Sequence, residues 1–86
     1  MDISVELTLS PLQDDFEPPI IAFIQNLRAS GLAVLENPLS TQVFGPYDRV
    51  MELLNVQIKE AFDSLEHVVL TLKIVKSDRS GYEPHF

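Results

Sequence analysis

Three consecutive polar residues, Ser40, Thr41 and Gln42, form the stretch of this chain best suited to ligand chemistry. They follow the turn-forming pair Asn37-Pro38 and lead into a short apolar run. Two hydroxyl groups and one amide at the entrance of a strand could pair with the donors and acceptors of a neutral heterocycle. The same side chains could instead satisfy the backbone of a hairpin turn, and the pattern taken alone favours that alternative.

Aromatic and charged groups extend this candidate site. Phe44 and Tyr47 could cover the face of a ring or of a cation, although most aromatic residues of a small protein belong to its core. Glu6, in the middle of a polar strand face, could pair with a cationic ligand or with Lys73 across a sheet, and the second pairing is the simpler explanation. The candidate ligand-binding residues are Glu6, Ser40, Thr41, Gln42, Phe44 and Tyr47.

The sequence carries no recognisable catalytic or metal-binding pattern. There are no cysteines, and the two histidines, His67 and His85, are too far apart to form a known metal motif. Glycine-rich phosphate loops and nucleophile-elbow spacing are absent as well. We therefore expect a binding protein that is not an enzyme and uses no metal or cofactor. An enzyme with Glu6 or His67 as its base is the least supported alternative.

The charge balance narrows the classes of partner. The chain has 86 residues, of which 13 are acidic and 6 are basic, giving a net charge of -7 at pH 7. Nucleic acids and anionic membranes both attract Lys and Arg, so neither is an expected partner. A neutral or cationic small ligand suits this charge, although solubility alone also accounts for it. With no secretory signal, no apolar stretch of ~20 residues and no cysteine, we expect a cytoplasmic protein.

Apolar periodicity predicts six elements in the order β-α-β-β-α-β. Strict alternation identifies the first strand, which Pro11 ends, and acidic residues before Pro18 mark the start of a helix that Gly31 ends. The predicted elements are a strand at 3–9, a helix between 14 and 31, strands at 32–36 and 41–44 forming a hairpin, a helix from 45, and a strand at 66–76.

This order of elements predicts an α+β ferredoxin-like sandwich. Two right-handed crossovers give a four-stranded antiparallel sheet with both helices on one face. We assign residues 1–76 to this single domain and residues 77–86 to a polar C-terminal tail, which we expect to be loose unless it docks. The uncovered sheet face mixes polar residues with Val69 and Val75, which favours association into a homo-oligomer.

Several segments together resemble the thiamine- and hydroxymethylpyrimidine-binding family, the YkoF-like group. The resemblance rests on residues 3–12, the apolar positions of 19–27, residues 31–32, the distinctive segment 37–45 and residues 50–51. It implies a ferredoxin-like fold and paired domains, so a single-domain chain would form a homodimer or a homotetramer. It also implies that the protein binds thiamine or hydroxymethylpyrimidine as a carrier or sensor and does not catalyse a reaction.

The resemblance also suggests roles for the candidate residues. Thiamine combines a cationic thiazolium ring with a neutral aminopyrimidine. Residues 40–42 would form hydrogen bonds with the pyrimidine, Phe44 or Tyr47 would cover a ring face, and Glu6 would be the charge partner. The alternative from another functional class is an oligomeric protein-interaction module whose open sheet face serves only assembly.

Overall fold

The computed structural model describes all 86 residues and has the predicted order of elements. They are β1 (Asp2–Pro11), α1 (Glu17–Arg28), β2 (Ala33–Glu36), β3 (Thr41–Pro46), α2 (Tyr47–Ser64) and β4 (Val68–Val75). The strands form one antiparallel sheet in the order β2-β3-β1-β4, and both helices pack against the same face of it. The predicted ferredoxin-like fold is confirmed. Neither helix has the length and apolar character needed to cross a membrane.

Strand β1 lies at the centre of the sheet and sets the chemistry of both faces. It pairs with β3 on one side and β4 on the other, so that Glu6 stands between Gln42 and Lys73. The next residue towards the N-terminus, Val5, stands opposite Val43 and points to the other face. Since successive side chains of a strand alternate between faces, β1 has one apolar side towards the helices and one polar side away from them.

The core lies between the sheet and the two helices. Its nine buried residues come from four elements: Ile3, Val5, Leu7, Leu9, Phe23, Leu27, Val43, Val50 and Leu54. Full burial of such a side chain contributes roughly 1.5–3 kcal/mol, so this cluster is a major source of stability for the fold. The edge strand β4 is less well covered, and Leu72 and Ile74 stay partly exposed although they point to the helix side.

Local sequence signals account for the ends of the helices. Helix α1 begins at Glu17 with Pro18 in its first turn, where a missing N–H has no consequence. The acidic residues predicted as its cap lie before this point, and Phe16 at the N-cap makes no side-chain capping bond. Gly31, with φ of 83°, takes the left-handed conformation that leads the chain from α1 into β2.

Gly45 is favoured for a different reason, which is the close approach of neighbouring side chains. A Cβ atom at this position would lie 3.0 Å from Leu32 Cδ2 and 3.4 Å from Val50 Cγ2. The side chain of Leu32 therefore packs directly against the backbone of β3, and it joins the partly buried shell around the core.

Candidate ligand-binding groove

Two neighbouring depressions lie on the sheet face that the helices leave open. The first has a volume of about 160 Å³ and includes Glu6 and Lys73 in its lining. The second has a volume of about 410 Å³ and lies over β2, β3 and the chain that follows β4. Because both are lined by Gln42, Phe44 and Arg79, they form one continuous surface, which we call the open-face groove.

Glu6 lies on the floor of the groove and is held from two sides. Ser40 Oγ donates a hydrogen bond to Glu6 Oε2 over 3.1 Å, and Lys73 Nζ lies 3.6 Å from Glu6 Oε1. The predicted cross-sheet pairing with Lys73 is therefore present. About 40% of the Glu6 side chain stays exposed, and each carboxylate oxygen has a second lone pair, so the group can still accept a bond from a ligand.

The turn before β3 satisfies much of its own backbone, but it does so through Asn37 and not through the side chains of residues 40–42 that the hairpin alternative named. Asn37 Oδ1 accepts hydrogen bonds from the backbone N–H groups of Leu39 and Ser40, both over 3.0 Å. Thr8 Oγ1 donates to the carbonyl oxygen of Leu39 over 3.3 Å and ties the turn to β1. The hydroxyl of Ser40 is not used within the turn, because it points to Glu6.

Thr41 and Gln42, predicted to act together, lie on opposite faces of the sheet. Gln42 stands beside Glu6 and lines both depressions of the groove. Thr41 stands opposite the core residue Leu7 and is only 6% exposed, so it faces the helices. The structure does not bring Thr41 to the groove, since adjacent residues of a strand cannot share a face.

The two predicted aromatic residues also differ in position. Phe44 lines both depressions and is only 9% exposed, although it lies on the face without helices. Tyr47 is the first residue of α2, is 42% exposed and lines neither depression. Its backbone N–H donates to the carbonyl oxygen of Met1 over 2.9 Å, which places Tyr47 at the end of the sheet, outside the groove.

The groove is completed by residues 77–82, which we call the C-terminal segment. Ser4 Oγ donates to the carbonyl oxygen of Ser77 over 2.7 Å and accepts from the backbone N–H of Arg79 over 2.8 Å. Ser4 stands opposite Phe44 in the sheet, so the segment crosses the open face at this point and lines the groove beside Phe44 with Arg79 and Tyr82. The first part of the tail is thus docked.

The C-terminal segment is folded as a tight turn. Asp78 Oδ1 accepts hydrogen bonds from Ser80 Oγ over 2.6 Å and from the backbone N–H of Ser80 over 2.9 Å, and these bonds hold the pKa of the Asp78 carboxyl below its usual value. The backbone N–H of Tyr82 donates to the carbonyl oxygen of Arg79 over 3.1 Å. Residues 78–81, Asp-Arg-Ser-Gly, have a composition typical of turns. The sequence therefore contained a signal for this turn.

The charge of the groove differs from that of the whole chain. Its charged lining residues are Glu6, Lys73 and Arg79, so two cations face one anion in a protein of net charge -7. Glu6 and Lys73 pair with each other, whereas Arg79 forms no ion pair. The net charge of the chain therefore does not describe the local charge of the groove.

A wider depression, of about 520 Å³, runs along the outer side of α2. All its lining residues come from this single helix, and they include Lys59 and Asp63, which pair with each other over 2.8 Å. The hydrogen bond and the charge of Asp63 raise the pKa of Lys59. This surface is open, and no second element brings further groups to it, so the open-face groove is the better candidate site.

No protein-family model and no curated protein matches the sequence. Solved structures do match. A protein of Thermotoga maritima provisionally assigned to thiamine biosynthesis or salvage has a TM-score of 0.81 at 19% identity, with 90% of this chain and 85% of that chain covered. A protein of Streptococcus pneumoniae has a TM-score of 0.84 at 24% identity, with 91% and 89% covered. A domain of unknown function from Bacillus cereus has a TM-score of 0.76 at 16% identity, with 96% and 83% covered.

At these identities the likeness is one of fold. The chain is a ferredoxin-like α+β protein with a groove on its open sheet face. It shares this fold with a protein provisionally assigned to thiamine biosynthesis or salvage and with a domain of unknown function.

Proposed function

We propose that the protein binds a small aminopyrimidine, hydroxymethylpyrimidine or thiamine, in the open-face groove and acts as a carrier or sensor without catalysing a reaction. The observation that carries this proposal is the meeting of Glu6, Gln42 and Phe44 in one depression of about 160 Å³. A cavity of about 150 Å³ accommodates a benzene molecule, so the first depression has the size of a single six-membered ring.

The three residues offer what an aminopyrimidine requires. The carboxylate of Glu6 accepts from the exocyclic amine, and the amide of Gln42 can donate to a ring nitrogen and accept from the amine. Phe44 provides an apolar surface for the ring. The fold shared with the Thermotoga maritima protein, provisionally assigned to thiamine biosynthesis or salvage, supports this choice of ligand class.

Hydroxymethylpyrimidine suits the groove better than thiamine does. The charge of Glu6 is already offset by Lys73 at 3.6 Å, and Arg79 adds a second cation. A cationic thiazolium ring would meet this excess of positive charge, whereas a neutral pyrimidine would not. We therefore expect both compounds to bind, with hydroxymethylpyrimidine the tighter of the two.

Calorimetric titration with each compound, supported by thermal shift, tests the proposal. Glu6→Gln should weaken binding of both ligands because the amide is a poorer acceptor than the carboxylate. Glu66→Gln is the matched control, since Glu66 is exposed and lines neither depression. No heat and no thermal shift with either compound at millimolar concentration would contradict the proposal.

A second candidate function is assembly, and the edge of the sheet favours it. Strand β4 has one unpaired edge of eight residues, and Val69, Leu72 and Ile74 on it are 39–49% exposed. An apolar edge of this length can pair with a second chain, which would give a homodimer or, through further contacts, a homotetramer. Light scattering would measure the mass of the assembly in solution, and Ile74→Lys should reduce that mass. A monomeric wild-type protein would contradict assembly, and a stable oligomer without any ligand response would favour this function over the first.

A further inference from the structure

Resting on the proposed function, we infer that the natural ligand carries an anionic group, a phosphate monoester on the pyrimidine, and that Arg79 recognises it. Arg79 lines both depressions of the groove, yet no carboxylate pairs with it. Three of the other basic residues are paired: Arg28 with Glu36, Lys59 with Asp63 and Lys73 with Glu6. An unpaired guanidinium in a groove of an acidic protein is available for a ligand.

The backbone of Arg79 is fixed in place. Its N–H donates to Ser4 Oγ over 2.8 Å, and its carbonyl oxygen accepts from the N–H of Tyr82 over 3.1 Å. Ser4 is 7% exposed and belongs to β1, which pairs with a strand on each side, so the attachment is to a buried position of the central strand. An anchored backbone lowers the entropy lost when the side chain engages a ligand. The planar guanidinium has donors in a fork that matches two phosphate oxygens.

The groove has separate room for the ring and for the anion. The ring occupies the first depression, beside Glu6 and Gln42, and the second depression of about 410 Å³ continues from it past Arg79. Asp78, the acidic residue of the C-terminal segment, lines neither depression, and its carboxylate accepts hydrogen bonds from Ser80. Arg79 is thus the one charged lining residue whose charge is not offset.

Titration of the wild-type protein with hydroxymethylpyrimidine and with its phosphate monoester tests this inference. The phosphate ester should bind about tenfold more tightly or better, as one charge-assisted hydrogen bond allows, and the gain should shrink as salt is added. Arg79→Gln should remove most of this gain. Lys76→Gln removes the same charge from an exposed residue nearby that lines neither depression, and it should leave the gain in place.

The outcomes separate the two proposals. If hydroxymethylpyrimidine binds and its phosphate ester binds no better, the anion subsite is wrong while the proposed function stands. If the gain is present and survives in Arg79→Gln, another group binds the phosphate and the assignment to Arg79 is wrong. If neither compound binds, both proposals fail. Equal melting temperatures of the two variants and the wild type would show that the comparison is between folded proteins.

Discussion

The two sides of strand β1 use alternating residues of one short segment for different purposes. On the helix side, Ile3, Val5 and Leu7 are at most 2% exposed and pack against apolar partners. On the open side, Ser4 and Glu6 bind parts of the chain that are distant in sequence. A strand with period-two alternation thus supplies the core with one set of side chains and forms hydrogen bonds to distant segments with the other.

The open side of β1 acts through hydrogen bonds to specific atoms. Ser4 holds the C-terminal segment across more than 70 positions of sequence, while Thr8 and Glu6 hold the turn before β3 across more than 30. Such bonds contribute little to stability individually, about 0.5–1.5 kcal/mol each, but they determine where Arg79 and Ser40 lie. We therefore expect substitutions on the two sides of β1 to affect stability and site geometry to different degrees.

The largest effect should come from removing a core side chain. Leu7→Ala deletes a side chain that is 2% exposed, and we expect it to lower the free energy of unfolding by about 2–5 kcal/mol. Thr8→Ala, on the opposite face of the same strand, loses one exposed bond and should cost under about 1 kcal/mol. Urea unfolding followed by circular dichroism compares them, and equal losses would refute the division between the two faces.

The second largest effect should be on ligand affinity, and it distinguishes two adjacent residues of β3. Gln42→Ala removes a groove side chain and should weaken binding of hydroxymethylpyrimidine by about 1–3 kcal/mol. Thr41→Val keeps the shape of a side chain that faces the core and should leave the affinity unchanged. Calorimetric titration measures both, and an affinity loss confined to Thr41→Val would show that the groove has been assigned to the wrong face.

A smaller effect should follow from releasing the C-terminal segment. Ser4→Ala removes both hydrogen bonds that hold Ser77 and Arg79, and the freed backbone groups can bond to water instead. We expect a stability loss of about 1 kcal/mol, together with faster cleavage by trypsin after Arg79 and faster amide exchange at that residue. Ser10→Ala, on the same face of β1 but with no side-chain hydrogen bond to the segment, is the control. Unchanged cleavage in Ser4→Ala would contradict this account of how the segment is held.

The smallest effect should be a local response to acid. Hydrogen bonds from Ser80 lower the pKa of Asp78 below its ordinary value of 3.8, so the folded turn favours the charged form. The stabilisation is therefore complete above that ordinary value and is lost as the pH falls through the lower, folded pKa. Titration of the Ser80 amide resonance by NMR should show this transition, and Asp78→Asn should abolish it. A transition centred above 3.8 would contradict the predicted sign.

The fold was predictable because its signals are local. Alternation in β1 and β4 and the turn residues around both helices identified the six elements and the open face. Period two also separates Thr41 from Gln42, a separation that is overlooked when a run of polar residues is treated as one cluster. Docking of the C-terminal segment could not be derived in this way, because it depends on Ser4 meeting the backbone of Arg79, a contact between residues 75 positions apart.

Gly45 lies outside the groove, yet the identity of the groove residues depends on it. It stands opposite Ile3, and Leu32 fills the space that a side chain at this position would need. A shift of β3 by one residue would place a side chain against Leu32, turn Val43 outwards and bury Gln42. The small size of Gly45 thus favours the observed register of β3, and the alignment of this one strand determines which functional groups a ligand encounters.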